Sequence, residues 1–409
     1  MKKIQLHRQR QYASMMIILI FAVASFGPLH AQSRLSTAKP DIKDYSIQSK
    51  ILGQERKYSV YRPPVLPEYA EVVSPIIYVL DGEWTSFYYC TLVNYWCERF
   101  PGIPPITVVS IENEPSMISP TGQFNLIGRQ RDLTPLVAKD SSFYKTSGGA
   151  EKLLQFIREE LMPVVELNNA QRPYRVIAGS SLGGFLVMHS FLQHPEMFNA
   201  YIASSPAMWM DNSIYMKTAE EIISKANTRN SRLFFSAGNE SPRIVNNAIK
   251  FDSLLRRKNL QGLAYKFVYY PTEGHATLRT VHDGLDYVFQ NTLPELEKKL
   301  SEVTYALFEK YYAELSHIYG YKIKPPESKI NSFGYRFLND LNDVDKALEF
   351  FKKNIENYPQ SANVYDSYAE ALLAKGDKKN AMINYEKAFQ MDPTNTAARD
   401  IVNKLKSEQ

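Results

Sequence analysis

The run Gly179-Ser180-Ser181-Leu182-Gly183 fits the pattern G-x-S-x-G with Ser181 at its centre. A serine hydroxyl attacks an acyl carbonyl when a base takes its proton, so this spacing raises the prospect of acyl-transfer chemistry. The flanks give the pattern weight. Tyr174-Arg175-Val176-Ile177-Ala178 reads as a buried strand, and Gly183 to Gln193 reads as a helix. A strand that turns sharply into a helix leaves its middle residue strained, with the side chain in a cleft. Glycines two residues before and after Ser181 remove the Cβ atoms that would obstruct such a turn. The N–H of Leu182, at the helix start, then points to where an ester carbonyl would gain negative charge.

Ser181 needs a base. Beyond residue 31 the histidines are His189, His194, His275, His282 and His317. His317 lies past the presumed catalytic region, and His189 and His194 sit in the helix after Ser181, directed away from its hydroxyl. His275 follows an apolar strand, Tyr265–Tyr270, and the loop Pro271-Thr272-Glu273-Gly274. It is the expected general base, with helix capping as its structural alternative and His282 as the fallback. The acid that orients the base is assigned to Glu240, at the end of the strand Leu233–Ala237 and between Ser181 and His275 in sequence. Asp252, deep in a helix, and Glu273, beside the histidine, are the other choices, and a dyad would need neither.

The loop Val79-Leu80-Asp81-Gly82-Glu83-Trp84 is expected to supply a second oxyanion donor through the N–H of Glu83 or Trp84. Asp81 reads as a turn or helix cap. Trp209 and Asp211 follow the strand Ala200–Ala203, where a substrate would enter, although a tryptophan there could equally be core. Arg131 could hold a polar substrate group or form a structural ion pair with Asp132, the reading favoured here. The sequence shows no glycine-rich phosphate loop and no histidine–carboxylate metal motif, so no cofactor or metal is implied.

These residues need a scaffold. Apolar, strand-like runs at Pro75–Leu80, Ile106–Ile111, Arg175–Ala178, Ala200–Ala203, Leu233–Ala237 and Tyr265–Tyr270 alternate with helical stretches at Trp84–Arg99, Gly149–Asn168, Leu182–His194, Ile214–Ala226, Arg243–Lys258 and Thr277–Gln290. The alternation predicts an α/β fold, a mostly parallel sheet with helices on both faces. In such sheets sites form beyond the carboxyl ends of the strands, which is where each candidate lies. A hairpin is expected ahead of them, around Gly53.

Residues 1–31 read as a secretory signal: Lys2, Lys3, Arg8 and Arg10, an apolar stretch from Ala13 to Phe26, then Gly27-Pro28. A secreted or periplasmic protein with no stable membrane insertion follows. The chain carries +5, four of those charges lie in the signal, and the near-neutral remainder has no electrostatic footprint for nucleic acid or anionic membrane. Cys90 and Cys97 fall on one helix face about 10 Å apart along the axis, too far for a disulfide.

The character changes near residue 300. An aromatic helix, Val303 to Tyr321, is stopped by Pro325-Pro326, and beyond it Ala347, Phe351 and Pro359 recur 34 residues later as Ala381, Tyr385 and Pro393. Tyr365, Tyr368, Ala369, Leu372, Gly376 and Ala388 complete the spacing of a tetratricopeptide repeat. The expected order is a signal (1–31), a catalytic domain (32–300), a helical linker (301–327) and a small all-α repeat domain (328–409). Two repeats cannot bury their own faces, so docking on the preceding helix or the catalytic domain is expected. A protein partner could bind through them.

Tyr78-Val79-Leu80-Asp81-Gly82, Arg131-Asp132-Leu133-Thr134-Pro135, Gly179–Gly184, Ser204-Ser205-Pro206, Trp209 and Gly274-His275 together resemble one family of α/β-hydrolases. It holds esterase D, enterobactin-type siderophore esterases and feruloyl or acetyl xylan esterases. The resemblance covers roughly residues 40–295 and implies an α/β-hydrolase fold and a serine esterase centred on Ser181 and His275. The siderophore-esterase branch tends to carry Gly-x-x-Glu after a strand; Gly238-Asn239-Glu240 is one residue shorter. The substrate is then a siderophore, an acylated carbohydrate or a small ester. Acyl transfer to a sugar hydroxyl, or a non-catalytic scaffold that uses the repeats, are the alternatives.

Overall fold

Gly53, at φ +66°, turns the chain between β1 (Ile42–Ser49) and β2 (Gln54–Tyr61), which pair antiparallel from Ile42–Tyr61 to Ser49–Gln54. The computed structural model describes residues 40–64, 73–99, 105–116, 125–137, 146–167, 172–225, 228–289, 296 and 299–407. The expected signal, residues 1–31, lies outside them. Among the described residues, no helix is long and apolar enough to cross a membrane.

After the hairpin come β3 (Ile76–Leu80), α1 (Gly82–Arg99), β4 (Thr107–Ile111) and α2 (Ile127–Asp132). Helix α3 (Ala150–Phe156) runs through a π-turn, Ile157–Leu161, into a last turn, Met162–Val165. The sequence predicts one unbroken helix there. The widened turn presents Glu160, whose carboxylate accepts Ser49 Oγ at 2.5 Å and the Lys50 amide at 2.9 Å, tying it to the hairpin. The chain continues with β5 (Arg175–Ser180), α4 (Leu182–Gln193), β6 (Ala200–Ser204), α5 (Met210–Lys225), β7 (Thr228–Gly238), α6 (Pro242–Lys258), β8 (Gln261–Tyr270) and α7 (Leu278–Phe289).

The strands form one sheet in the order β1-β2-β4-β3-β5-β6-β7-β8, antiparallel across β1–β2–β4 and parallel from β4 to β8. This is an α/β-hydrolase arrangement. Every residue of β3, β4 and β6 is buried, as continuous apolar runs require in a sheet covered on both faces. Strand β1, with Lys43, Asp44 and Ser46 exposed, makes a charged edge. β7 and β8 begin several residues before the apolar runs that mark them. Their leading ends are polar (Thr228 to Arg232, with Gln261 and Gly262), so backbone pairing extends where hydrophobicity gives no signal.

Alternation along β3 divides the core. Tyr78 and Leu80 join the residues of α3 to α6 on one face, whereas Ile77 and Val79 join α1 and α7 on the other. That second core continues into α8 (Tyr305–Tyr319), α9 (Glu327–Asn339) and α10 (Val344–Asn357). The ring of Tyr174, just ahead of β5, lies 4.9 Å from that of Tyr319, and the Tyr319 hydroxyl donates to the Phe289 carbonyl at 3.3 Å. The docking expected of the C-terminal helices thus has a physical basis in a shared aromatic core.

Beyond α10 come α11 (Ala362–Ala374), α12 (Lys378–Met391) and α13 (Thr396–Ser407). Helices α9–α10 and α11–α12 form two hairpins with the same N-cap in their second helices. Asp343 accepts from the Lys346 amide and Asp377 from the Asn380 amide. Ala347 and Ala381, 34 residues apart, are both fully buried.

Candidate active site

Ser181 lies between β5 and α4 at φ 59°, ψ −115°, backbone angles that L residues rarely adopt. Three hydrogen bonds hold it there: its amide donates to Ser204 O at 2.9 Å, and its carbonyl accepts from Phe185 and Ala207 at 2.9 and 3.0 Å. A Cβ on Gly179 would stand 2.6 Å from the Gly183 carbonyl carbon, so the expected need for glycine is met by a real close approach. Among the described residues Ser181 Oγ makes no hydrogen bond. It faces a cleft of about 370 Å³ that is also lined by His275, Trp84, Tyr88, Arg129 and Leu278.

His275 stands on the loop after β8, 43% exposed, with Nδ1 hydrogen-bonded to Glu240 Oε2. Nε2 is thereby left for the cleft. The Glu240 side chain is only 6% exposed, and its other oxygen accepts from Ser205 Oγ at 2.6 Å and from the Gly238 amide at 2.9 Å. Burial pushes the Glu240 carboxyl upward. The hydrogen bonds from His275, Ser205 and Gly238 and the charge of His275 outweigh it, leaving the group below its ordinary range. The loop is fastened from below as well. The Ala276 amide donates to Ser205 Oγ at 3.3 Å and the Asn239 amide to Glu273 O at 2.7 Å. A Cβ on Gly238 would meet Gly274 O at 2.1 Å, so only glycine lets β7 and this loop approach so closely.

Of the expected oxyanion donors, Trp84 needs revision. Helix α1 starts at Gly82, and the Trp84 amide donates to Asp81 O at 2.9 Å, closing the first turn. That amide is consumed, and Trp84 contributes its ring to the cleft instead. Glu83 lies in the first turn of α1, just beyond β3, with its carboxylate accepting from Asn113 Nδ2 at 3.0 Å. Leu182 occupies the first position of α4, where an N–H has no acceptor inside its own helix.

Asp81 does more than cap a turn. At φ 58° its buried carboxylate takes Arg129 Nε and Nη2 at 2.8 and 2.9 Å and Asn113 Nδ2 at 2.8 Å. Arg129 also reaches Ser180 O at 3.2 Å. The pair links the end of β3 to the residue preceding Ser181. The sequence alone gives Arg129 no role and Ser205 only a place in the family resemblance, because their partners lie 48 and 35 residues away.

Arg131, offered by the sequence as a substrate contact or, preferably, as an ion-pair partner of Asp132, bonds Asp132 at 2.7 Å and Glu114 O at 2.8 Å, and Asp132 is further held by the buried Arg56 at 2.7 Å. Arg131 is structural and does not line the cleft. Trp209 packs against the core on the α3–α6 face and also stays out of the cleft. Asp211 falls in α5, and its side chain lies outside the described residues. His282 pairs with Asp283 at 3.0 Å away from the cleft, and Asp252 binds Arg256 at 2.7 Å. Cys90 and Cys97 are not disulfide-bonded, and burial pushes Cys90 up to about 11. A hollow of about 610 Å³ between α10 and α11, which Leu348, Tyr368 and Lys375 help to line, contains none of these groups.

A strained serine, an imidazole held by a carboxylate and a helix-start amide beside one cleft are what acyl chemistry requires. A family model described as "Putative esterase" matches residues 49–299. The ferri-bacillibactin esterase BesA of Bacillus subtilis is 27% identical over 247 residues, 56% of this chain and 83% of that protein. The siderophore enterobactin esterase of Emericella nidulans is 31% identical over 119 residues, 27% of this chain and 39% of that protein. The crystal structure of an IroE-like serine hydrolase from Shewanella oneidensis has a TM-score of 0.62 at 23% identity, covering 78% of this chain and 100% of its own. That likeness speaks to the fold. The chain belongs to this esterase family and is a carboxylic-ester hydrolase of the serine type.

Proposed function

We propose that the protein hydrolyses a siderophore ester through an acyl-enzyme on Ser181. The observation that carries the reading is the hydrogen bond from His275 Nδ1 to the buried Glu240, with His275 and Ser181 lining the same cleft. His275 Nε2 takes the Ser181 proton as Oγ adds to the ester carbonyl. The Leu182 amide, with that of Glu83 as its partner, holds the oxyanion. The tetrahedral adduct collapses and the alcohol leaves with the proton from His275. Water, deprotonated by the same imidazole, then releases the acid and restores Ser181. Glu240 keeps the imidazole in the Nδ1–H tautomer and balances its charge when protonated.

The substrate class rests on the relatives, two of which are named for siderophore esters or ferri-bacillibactin. The cleft is compatible with it: Trp84, Tyr88, Tyr89 and Leu278 give it apolar walls, and Arg129 a cation. An acylated carbohydrate or a small ester is the competing substrate. The signal-like residues 1–31 support export to the periplasm or beyond. We read α9–α12 as two tetratricopeptide repeats capped by α13, with the boundaries given above and a protein partner as their use.

Incubation with p-nitrophenyl acetate and a fluorophosphonate probe, beside Ser181→Ala, tests the chemistry. Wild type should turn over and label, and the variant should do neither. Labelling that survives in Ser181→Ala would move the nucleophile elsewhere. Cleavage of a tricatecholate trilactone, compared with acetylated xylan, tests the substrate class.

A further inference from the structure

Ser181 precedes helix α4 as its N-cap residue, and the opposite end of the helix holds groups that the ester chemistry does not use. His189 is buried in the helix, and His194 is its C-cap residue. Glu151 stands in the first turn of α3. His189 Nε2 lies 2.5 Å from Glu151 Oε1, and His194 Nε2 lies 2.8 Å from Glu151 Oε2. One donor atom from each residue falls within 4.8 Å of the others. We propose that Glu151, His189 and His194 form a binding site for a zinc-class divalent cation, separate from the ester-cleaving cleft.

Two imidazole nitrogens and one carboxylate oxygen are a donor set that zinc takes, with water in the fourth position. Metal–ligand bonds of about 2.0–2.2 Å place tetrahedral donors roughly 3.3 Å apart. The two Glu151–imidazole contacts fall short of that spacing by less than an ångström, and the Glu151 side chain, 58% exposed, has room to withdraw. His189 is the fixed member. Its Nδ1 lies 2.9 Å from the hydroxyl of buried Tyr215, the kind of outer hydrogen bond that orients a metal-binding imidazole. A hydroxyl can donate or accept, so this contact serves both states. With Nε2–H on Glu151, Nδ1 accepts from Tyr215; with Nε2 on a cation, Nδ1–H donates to it.

A hollow of about 150 Å³ opens beside Glu151 and His194, giving an entry path and space for the water. Lys152 and Arg158 also line it, and Arg158 is partnered by Glu159 at 2.9 Å. A cation here would clamp the far end of the nucleophile's helix to α3, so its effect falls on stability. Sequence reading found no metal motif because Glu151 lies 38 residues before His189, on another helix.

The test uses the full chain, stripped of metal with a chelator and titrated with Zn²⁺ by calorimetry and with Co²⁺ by visible absorption. We expect one equivalent of Zn²⁺, the d–d bands of four-coordinate cobalt, and a melting temperature that rises with Zn²⁺ while p-nitrophenyl acetate turnover stays unchanged. His194→Ala and Glu151→Gln should each weaken binding by about 100-fold, as loss of a ligand or its support does, and abolish the thermal shift. Both positions are partly or largely exposed, so the variants fold, and circular dichroism checks this. Absence of binding at submillimolar Zn²⁺, or binding retained in both variants, overturns the proposal.

Discussion

Ser205 Oγ donates to Glu240 Oε1 at 2.6 Å, so the carboxylate that holds His275 is itself held by the residue that follows β6, the strand beside the nucleophile's. Ser205 also accepts from the Ala276 amide. One hydroxyl thereby joins acid and base loops. Ser205→Ala removes a hydrogen bond to a charged group, of about 1.5–3 kcal/mol. If that energy is spent on orienting the base, kcat should fall roughly 10- to 100-fold with KM little changed, the hydroxyl being directed away from the cleft. Steady-state kinetics measure this, and an unchanged kcat would leave Ser205 a purely structural role.

Glu240→Gln should lower kcat by about 10³- to 10⁴-fold, because an amide favours the wrong imidazole tautomer. The fold should survive, since the amide oxygen can still accept from Ser205 and Gly238. A rate within a few-fold of wild type would reject Glu240 as the acid.

The same residue fixes a pH dependence. Its carboxyl titrates below the ordinary value of 4.5 in the folded protein, so near that pH the unfolded chain binds more protons and stability rises with pH. The stabilisation is therefore complete above about pH 4.5 and is lost as the pH falls through the depressed value. Urea unfolding of wild type and Glu240→Gln between pH 3 and 6 should give curves that converge as the pH drops. Parallel curves would contradict it.

Two arginines two residues apart should behave differently. Arg129→Ala leaves the Asp81 carboxylate, 5% exposed, without its cation, a change costing about 3–5 kcal/mol for a buried pair, and it alters a cleft wall. Arg131→Ala leaves Asp132 still bound to Arg56, so a loss of about 1 kcal/mol with unchanged KM is expected. Chemical denaturation together with KM measurements separates the two.

Truncation should be tolerated at one end of the helical region and not at the other. Removing residues 362–409 takes away helices whose buried residues, Ala371 apart, fall in small clusters outside the two main cores. Removing residues 305–409 strips Phe308, Tyr312 and Tyr319 from the core that Tyr174 and Phe289 share. The shorter deletion should keep esterase activity in soluble protein, and the longer one should aggregate. Soluble yield and thermal melts decide it.

Much of this was legible before any coordinates. β3, β4 and β6 announce themselves because both their faces are covered, and Ser181, Glu240 and His275 because each follows the carboxyl end of a strand. What escaped depends on distance in the chain. Nothing local to Arg129 says that Asp81 awaits it, or to Ser205 that Glu240 does. Trp209 is left open between cleft wall and core by the sequence, because an aromatic beyond a strand suits both, and only packing separates them. The Trp84 amide was misread for a smaller reason. The helical pattern suggests a start at Trp84, but the helix begins two residues earlier, so its N–H is already committed to a turn.

The core shared between the sheet and α8–α10 sets an order of events during synthesis. Ser181, Glu240 and His275 have all been made once residue 275 is added, yet the sheet face beside Tyr174, partly covered by α1, lacks the rest of its cover until Tyr319 follows. At roughly 5–20 residues per second the ribosome needs several seconds more to supply that cover. The nascent catalytic segment spends this interval with a hydrophobic face open to chaperones, and the helices that contribute nothing to the chemistry decide when it becomes a finished protein.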